Sequence, residues 1–316
     1  EQYLHEREDF IDLLRILEQE TGIQIQLIEK DYWIMHVLYG LKQQNFEFEL
    51  KGGTSLSKGY QIIHRFSEDI DIHIKAPAHL DVNENPKSDK SKAIQSRKDF
   101  YDWLKDNIKI DGIIEVKRDT EFDDTDKYRS GGIRLLYESK TGNLEGVKEG
   151  ILLEAGFDTV TPNNKLLISS WAYEKASGNP KINILDNRAK DVACYHPGYT
   201  FVEKLQTVAT KYRQEQETGE KKANLMRQYY DLYCLLDVPE VLEFIGTEAY
   251  FEHKKVRFPK KDFEIPISEN EAFLLSNPEQ RAEFEARYKG TEALYYKGQT
   301  QFGELLESLK FIVEDL

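Results

Sequence analysis

The sequence predicts an α+β fold: a mixed β-sheet core flanked by helices, then a mainly helical C-terminal domain. Three observations carry that reading. "DIDIHI" at 69–74 alternates strictly, with Ile70, Ile72 and Ile74 on one side and Asp69, Asp71 and His73 on the other, the period-two mark of a half-buried strand. Upstream, residues 5–20 and 27–41 repeat apolar side chains at helical spacing. From about residue 200 onward the pattern is mainly helical. The boundary falls near 190–198, giving domains 1–195 and 196–316.

Taken in order, Phe10, Leu13, Leu14 and Leu17 share a face of the first helix, and Leu27, Ile34, Leu38 and Leu41 a face of the second. Within the second, "IEKDYW" (28–33) reads as helix-surface ion pairing by Glu29, Lys30 and Asp31. "FEFEL" (46–50) alternates as a strand running into Gly52 and Gly53, a pair that permits a tight turn and close approach of backbone to a ligand. Thr54 or Ser55 then caps a helix reaching about Ile63, with Leu56, Tyr60 and Ile63 buried and its free N–H groups available to an anion. Residues 77–95 are polar and proline-bearing, hence a loop, and 96–107 are helical. "IIEVKRD" (113–119), "GGIRLLYES" (131–139) and "GILLEAGF" (150–157) read as strands, with "SGG" at 130–132 assigned to a turn. Thr200 and Glu203 form a T-x-x-E capping box. Leu225, Tyr229, Leu232, Tyr233 and Leu236 stripe the next helix, and 271–316 carries further amphipathic helices.

Bulk properties narrow the function. The 316 residues include 43 basic and 57 acidic side chains, a net charge of −14, so a generally basic nucleic-acid-binding surface is excluded. Mean hydropathy is −0.63, and no apolar run approaches the length of a membrane-spanning helix. The two cysteines, Cys194 and Cys234, lie in or near predicted helical segments without C-x-x-C spacing, and the expected location is the reducing cytoplasm. The sequence opens on Glu1, which implies residues upstream; no signal peptide is visible in it. Zinc-hydrolase, Walker, G-x-S-x-G and dinucleotide-binding motifs are absent from the sequence.

The candidate chemistry starts from Asp69 and Asp71. On one face of a strand their carboxylates sit roughly 6–7 Å apart. Their repulsion changes sign if a divalent cation lies between them. A phosphate-cradling loop ahead of such a pair suits phosphoryl or nucleotidyl transfer. Glu154, flanking a run of apolar residues on a strand, and Asp158 are further candidate acids; a surface strand acid explains Glu154 equally well. The capping box accounts for Glu203 and puts Lys204 in a first helical turn, where the helix dipole disfavours a cation. Asp231 lies off the apolar stripe one turn after Arg227, either as a functional acid or as the partner of an i, i+4 ion pair. Ser55, Lys58 and Arg65 are candidate phosphate contacts, Lys58 alternatively a solvated helix residue. Lys211, Arg213, Lys221, Lys222 and Arg227 form the densest basic cluster, which reads either as a polyanion patch or as a solvated face balanced by Glu215, Glu217 and Glu220.

Four motifs in order resemble the nucleotidyl transferase AbiEii/AbiGii toxin family of the DNA polymerase β-like superfamily. They are "GGTS" followed by "RFSEDIDI", "GILLEAGF" (150–157), "PGYTFVEKLQTVATKYR" (197–213) and "RQYYDLYCLL" (227–236). "IEKDYW" resembles a family element that precedes the glycine loop, and Tyr230 stands where many relatives carry lysine. The resemblance implies a nucleotidyltransferase-like core and transfer of a nucleoside monophosphate from a nucleoside triphosphate (NTP). It implies Mg²⁺ or Mn²⁺ on Asp69 and Asp71. Gly52, Gly53, Thr54, Ser55, Lys58 and Arg65 would lie around the nucleotide, with Lys204, Asp231 and Glu154 catalytic. It further implies a tRNA 3′ end as acceptor and a cognate antitoxin, in a toxin–antitoxin or phage-defence system. Two other classes remain open at this stage: a non-catalytic nucleotide- or partner-binding relative, and a D-x-D glycosyltransferase using a nucleotide-sugar.

Overall fold

The structure is a computed structural model that describes residues 1–310. Residues 311–316, the end of the expected helical tail, lie outside the described residues. The chain divides into two units, one of Glu1–Tyr60 and Ser67–Tyr195, the other of Gln61–Phe66 with the chain from His196 on.

The first unit is built on a seven-stranded mixed sheet. Its strands are β1 (Phe48–Lys51), β2 (Asp69–Ile74), β3 (Ile113–Asp119), β4 (Ser130–Tyr137), β5 (Ile151–Gly156), β6 (Asn163–Ile168) and β7 (Ala189–Tyr195), in the order β3-β4-β5-β2-β1-β7-β6. β2 runs parallel to β5 and β1 parallel to β7; the remaining pairs are antiparallel. Period-two burial holds along β2: Ile70, Ile72 and Ile74 are buried, while Asp69, Asp71 and His73 are only partly covered.

Helices α1 (Phe10–Thr21) and α2 (Ile25–Gln43) precede the sheet. In α2, 14 of 19 residues are buried, so there is no solvated face on which Glu29, Lys30 and Asp31 could pair as expected. All three are inside the protein. α3 (Gly52–Thr54) continues into a π-helical turn, Ser55–Gly59, closed by Tyr60 N–H donating to Ser55 O at 3.0 Å. The helix expected to reach Ile63 therefore stops at Gly59. Neither hydroxyl caps it, because helical backbone already starts at Gly52; the Thr54 hydroxyl instead donates to Asp69 O. α4 (Ser91–Asn107) begins five residues before the predicted start. β6, β7 and α5 (Trp171–Ser177) complete the unit; Cys194 lies on β7, three residues before the next helix.

"SGG" is strand, not turn. Ser130, Gly131 and Gly132 pair with Gly156, Ala155 and Glu154 of β5. The glycines are there for space: a Cβ on Gly132 would overlap the carbonyl oxygen of Asp119, and one on Gly131 would meet the Tyr101 ring.

The second unit is helical: α6 (Pro197–Thr218), α7 (Leu225–Leu235), α8 (Pro239–Phe244), α9 (Glu248–Arg257), α10 (Lys260–Phe263), α11 (Glu271–Leu274), α12 (Pro278–Lys289) and α13 (Phe302–Lys310). α6 packs on α7, α8 and α9. Its N-cap is His196, whose Nδ1 accepts from Gly198 N–H at 3.1 Å, with Pro197 at the first helical position. Thr200 and Glu203 are thus inside the helix, and no capping box exists. Residues 61–66 join this unit through Phe66 N–H to Leu294 O (2.8 Å) and His64 N–H to the Tyr230 hydroxyl (3.2 Å). Among the described residues no helix is long and apolar enough to cross a membrane.

Gly132→Ala should destabilise the sheet unit by about 1–3 kcal/mol, the usual range for forced overpacking. Urea denaturation checks this; an unchanged midpoint would mean that β3 and β4 separate without cost.

Candidate active site

Strand register brings the acids of the sheet unit together. Asp71 is opposite Lys51 on β1 and opposite Glu154 on β5, and Glu154 is opposite Gly132 on β4. Lys51, Asp71, Glu154 and Gly132 therefore form one cross-strand row on one sheet face, with Asp69 two residues along β2 on that same face. Gly52 adjoins the row with φ +73°, and a Cβ there would overlap Asp71 Oδ2. Only glycine gives both the backbone angle and the room for the carboxylate.

The row carries excess negative charge. Burial first, then the charges of Asp71 and Asp69, push the Glu154 carboxyl up to about 7, against Lys148 and Lys51. Asp158 pairs with Lys51 Nζ at 2.7 Å, whereas Glu154 is directly opposite Asp71 in the strand register. Of the two candidate third acids, Glu154 is the one beside the aspartates.

Three neighbouring charges on α2 fasten the surroundings. Glu29 accepts from the Ser139 hydroxyl (2.8 Å), Lys140 N–H (2.8 Å) and Thr141 N–H (3.2 Å). Lys30 Nζ donates to Lys148 O (2.6 Å) and Glu68 Oε2 (3.2 Å). Asp31 pairs with Lys58 Nζ (2.6 Å) and accepts from Trp171 N–H (2.8 Å). Lys58, expected at phosphate, is thus bound to Asp31 and lies over the Trp171 ring. Gly53, Thr54 and Ser55 are buried in the helical turn.

In the helical unit, Asp231 is fully buried and its carboxylate is taken from two sides. Arg65 reaches it with Nε at 2.7 Å and Nη2 at 2.6 Å, and Lys204 Nζ lies 2.6 Å from Oδ2. Lys204 also donates to Gln228 Oε1 at 3.0 Å. Burial opposes ionisation, but Arg65 and then Lys204 outweigh it and hold the Asp231 carboxyl below its usual range. The exposed i, i+4 pair weighed from the sequence does not describe a buried acid. Lys204 lies beyond the first turn of α6, so the dipole argument for it lapses; what marks it is burial against Asp231.

Several members of the basic cluster have acidic or backbone partners. Arg213 pairs with Asp262 and Glu217, Lys221 with Glu283 and Lys222 with Glu220, while Glu215 takes Arg287. Lys211 donates to Ala223 O. Lys148, which no sequence pattern marks, has its Nζ 3.5 Å from Asp69 Oδ2. It sits in the connection "ESKTGNLEGVKEG" (138–150), where no periodicity marks any residue.

Among the described residues no group of three or more His, Cys, Asp or Glu is gathered as a ready-made metal cage. The donors present are nonetheless all carboxylate oxygens, with glycine backbone where a Cβ would collide with one of them. That chemistry fits magnesium or manganese, which retain waters and take a few carboxylates plus phosphate oxygens.

The family model described as nucleotidyl transferase AbiEii toxin, type IV toxin–antitoxin system, matches residues 36–308, and the chain belongs to that family. A search of curated proteins finds no match. Among solved structures the chain is similar to an antigenic nucleotidyltransferase-like protein from Paracoccidioides brasiliensis. The identity is 12%, the TM-score 0.32, and the coverage 73% of this chain and 94% of that one.

Two predictions follow from the electrostatics of these groups. The folded protein holds the Glu154 proton to higher pH than the unfolded chain, so metal-free stability falls as pH rises from about 4.5 through about 7. Glu154→Gln should flatten Tm against pH in that window; an unaltered slope would assign the proton elsewhere. Asp231→Ala leaves two buried cations without counter-charge and should cost about 3–5 kcal/mol. Lys204→Met leaves the Arg65–Asp231 pair whole and should cost clearly less by urea denaturation. Equal losses would show that the two cations do not share Asp231 as described.

Proposed function

We propose that this AbiEii-family nucleotidyltransferase transfers a nucleoside monophosphate from an NTP to a hydroxyl at the 3′ end of tRNA. It would act as the toxin of a toxin–antitoxin or phage-defence system with a cognate antitoxin. The observation that carries the catalytic reading is the carboxylate row of β2 and β5 beside Gly52, in a chain of this family. The tRNA acceptor, the phage-defence role and the antitoxin rest on family resemblance.

Asp69 and Asp71 would hold the divalent cation, which supplies positive charge to phosphate oxygens when bound. Gly52 and Gly53 let the backbone approach the triphosphate without side-chain obstruction. Glu154, with its carboxyl pushed up to about 7, is poised to accept the acceptor hydroxyl's proton near neutral pH. The acceptor oxygen then bonds to the α-phosphorus, and pyrophosphate leaves with the electron pair of the broken P–O bond. Lys204 is the cation that the family resemblance assigns to the reaction, and Asp231 is the group that positions it. In the basic cluster at 211–227, Arg213, Lys221 and Lys222 pair with acids, so a polyanion binding there would have to compete with those pairs.

Purified protein incubated with Mg²⁺, each α-labelled NTP and total tRNA should move label onto tRNA 3′ ends. Asp69→Asn with Asp71→Asn should abolish transfer with an unchanged circular dichroism spectrum. Full activity in that double variant would sink the site assignment. Label on a protein or small molecule, with tRNA bare, would keep the transferase and replace the acceptor.

A further inference from the structure

Lys148 reaches the acids from a loop, yet its backbone is fastened on both sides. Its N–H donates to Glu68 Oε2 at 3.1 Å, and its carbonyl accepts from Lys30 Nζ at 2.6 Å. Lys30 is buried in α2 and itself bonded to Glu68, the residue directly before Asp69. Upstream, Glu29 holds the same connection at 139–141. The Lys148 ammonium lies 3.5 Å from Asp69 Oδ2 and 4.1 Å from the centre of the Phe122 ring. A side chain 37% exposed is thus delivered to the carboxylates by an anchored backbone, with an aromatic face as its second rest.

Its charge has a consequence for what the pair binds. A bare divalent cation at Asp69 and Asp71 brings like charge next to Lys148, and Coulomb repulsion opposes it. A cation that arrives with a triphosphate brings anionic oxygens for the ammonium to face. We propose that Lys148 couples the two ligands: it weakens binding of the bare cation to Asp69 and Asp71 and strengthens binding of the cation–triphosphate complex. Loading of the carboxylate pair then depends on nucleotide. This rests on the reading of Asp69 and Asp71 as the cation-holding pair.

The test is Mn²⁺ affinity by calorimetry, alone and with non-hydrolysable α,β-methylene analogues of the four ribonucleoside triphosphates. Lys148→Met and Lys148→Gln both keep the backbone anchors, so loss of fold in one leaves the other to decide. Each should bind Mn²⁺ alone roughly 1.5- to fivefold tighter, the scale of a part-exposed ion pair, and Mn²⁺ with the preferred analogue weaker by a similar factor. Lys148→Arg should restore both values. If both neutral variants match the parent under both conditions while Asp69→Asn loses Mn²⁺, the coupling is wrong and the cation pair stands. If Asp69→Asn binds Mn²⁺ like the parent, the cation pair falls and the coupling with it.

Discussion

Like charge on one face of one strand is the constraint around which the sheet unit is arranged. Asp69 and Asp71 repel each other, and β5 adds Glu154 directly opposite Asp71. The fold answers that repulsion incompletely. Lys51 stands across from Asp71 but spends its ammonium on Asp158 as well, and Lys148 reaches Asp69 at 3.5 Å. Burial together with the charges of Asp71 and Asp69 pushes the Glu154 carboxyl up to about 7. Like charges set side by side on one strand face oppose folding unless counter-charge is supplied.

The charged triplet of α2 solves a different problem. Burying Glu29, Lys30 and Asp31 is costly unless each charge is matched and hydrogen-bonded. Each finds its partners on a separate piece of chain: 139–141, Glu68 with Lys148, and Lys58 with Trp171. Ion pairs of this kind add little net stability, but they discriminate strongly against wrong pairings, because a mismatched partner leaves a buried charge alone. One turn of helix thereby fixes the β4–β5 connection, the residue before Asp69 and the turn after Gly52.

Legibility in the sequence followed the range of the interactions. β2 was readable because alternation is a local property, and the glycine turn before it is local too. α2 was misread in its charges because pattern rules place Glu, Lys and Asp on surfaces, while partners as distant as Trp171 decide otherwise. The start of α6 was missed because His196 caps it, a residue outside the usual capping set. Lys204 was singled out through a dipole argument that the helix boundary removes, although the residue does hold a distinctive buried position. The edge of β4 was ambiguous, with Gly131 and Gly132 counted both in the strand 131–139 and in the turn 130–132; contacts with Tyr101 and Asp119 from elsewhere in the chain give them their strand role.

Asp231 and the β2 aspartates carry the same side chain under opposite electrostatic conditions. Asp231 is shielded from water and matched by two cations, which hold it ionised in spite of burial. For it to ligate a metal, Arg65 or Lys204 would have to give way, leaving a buried cation without its acid. The strand acids show the reverse balance: burial first and then the charges of Asp71 and Asp69 raise the Glu154 carboxyl, even with two lysines opposing. A divalent cation entering there relieves a repulsion; entering at Asp231 it would create one. Asp231 is thus satisfied by its two cations, whereas the β2 acids sit in a field that a cation would relieve.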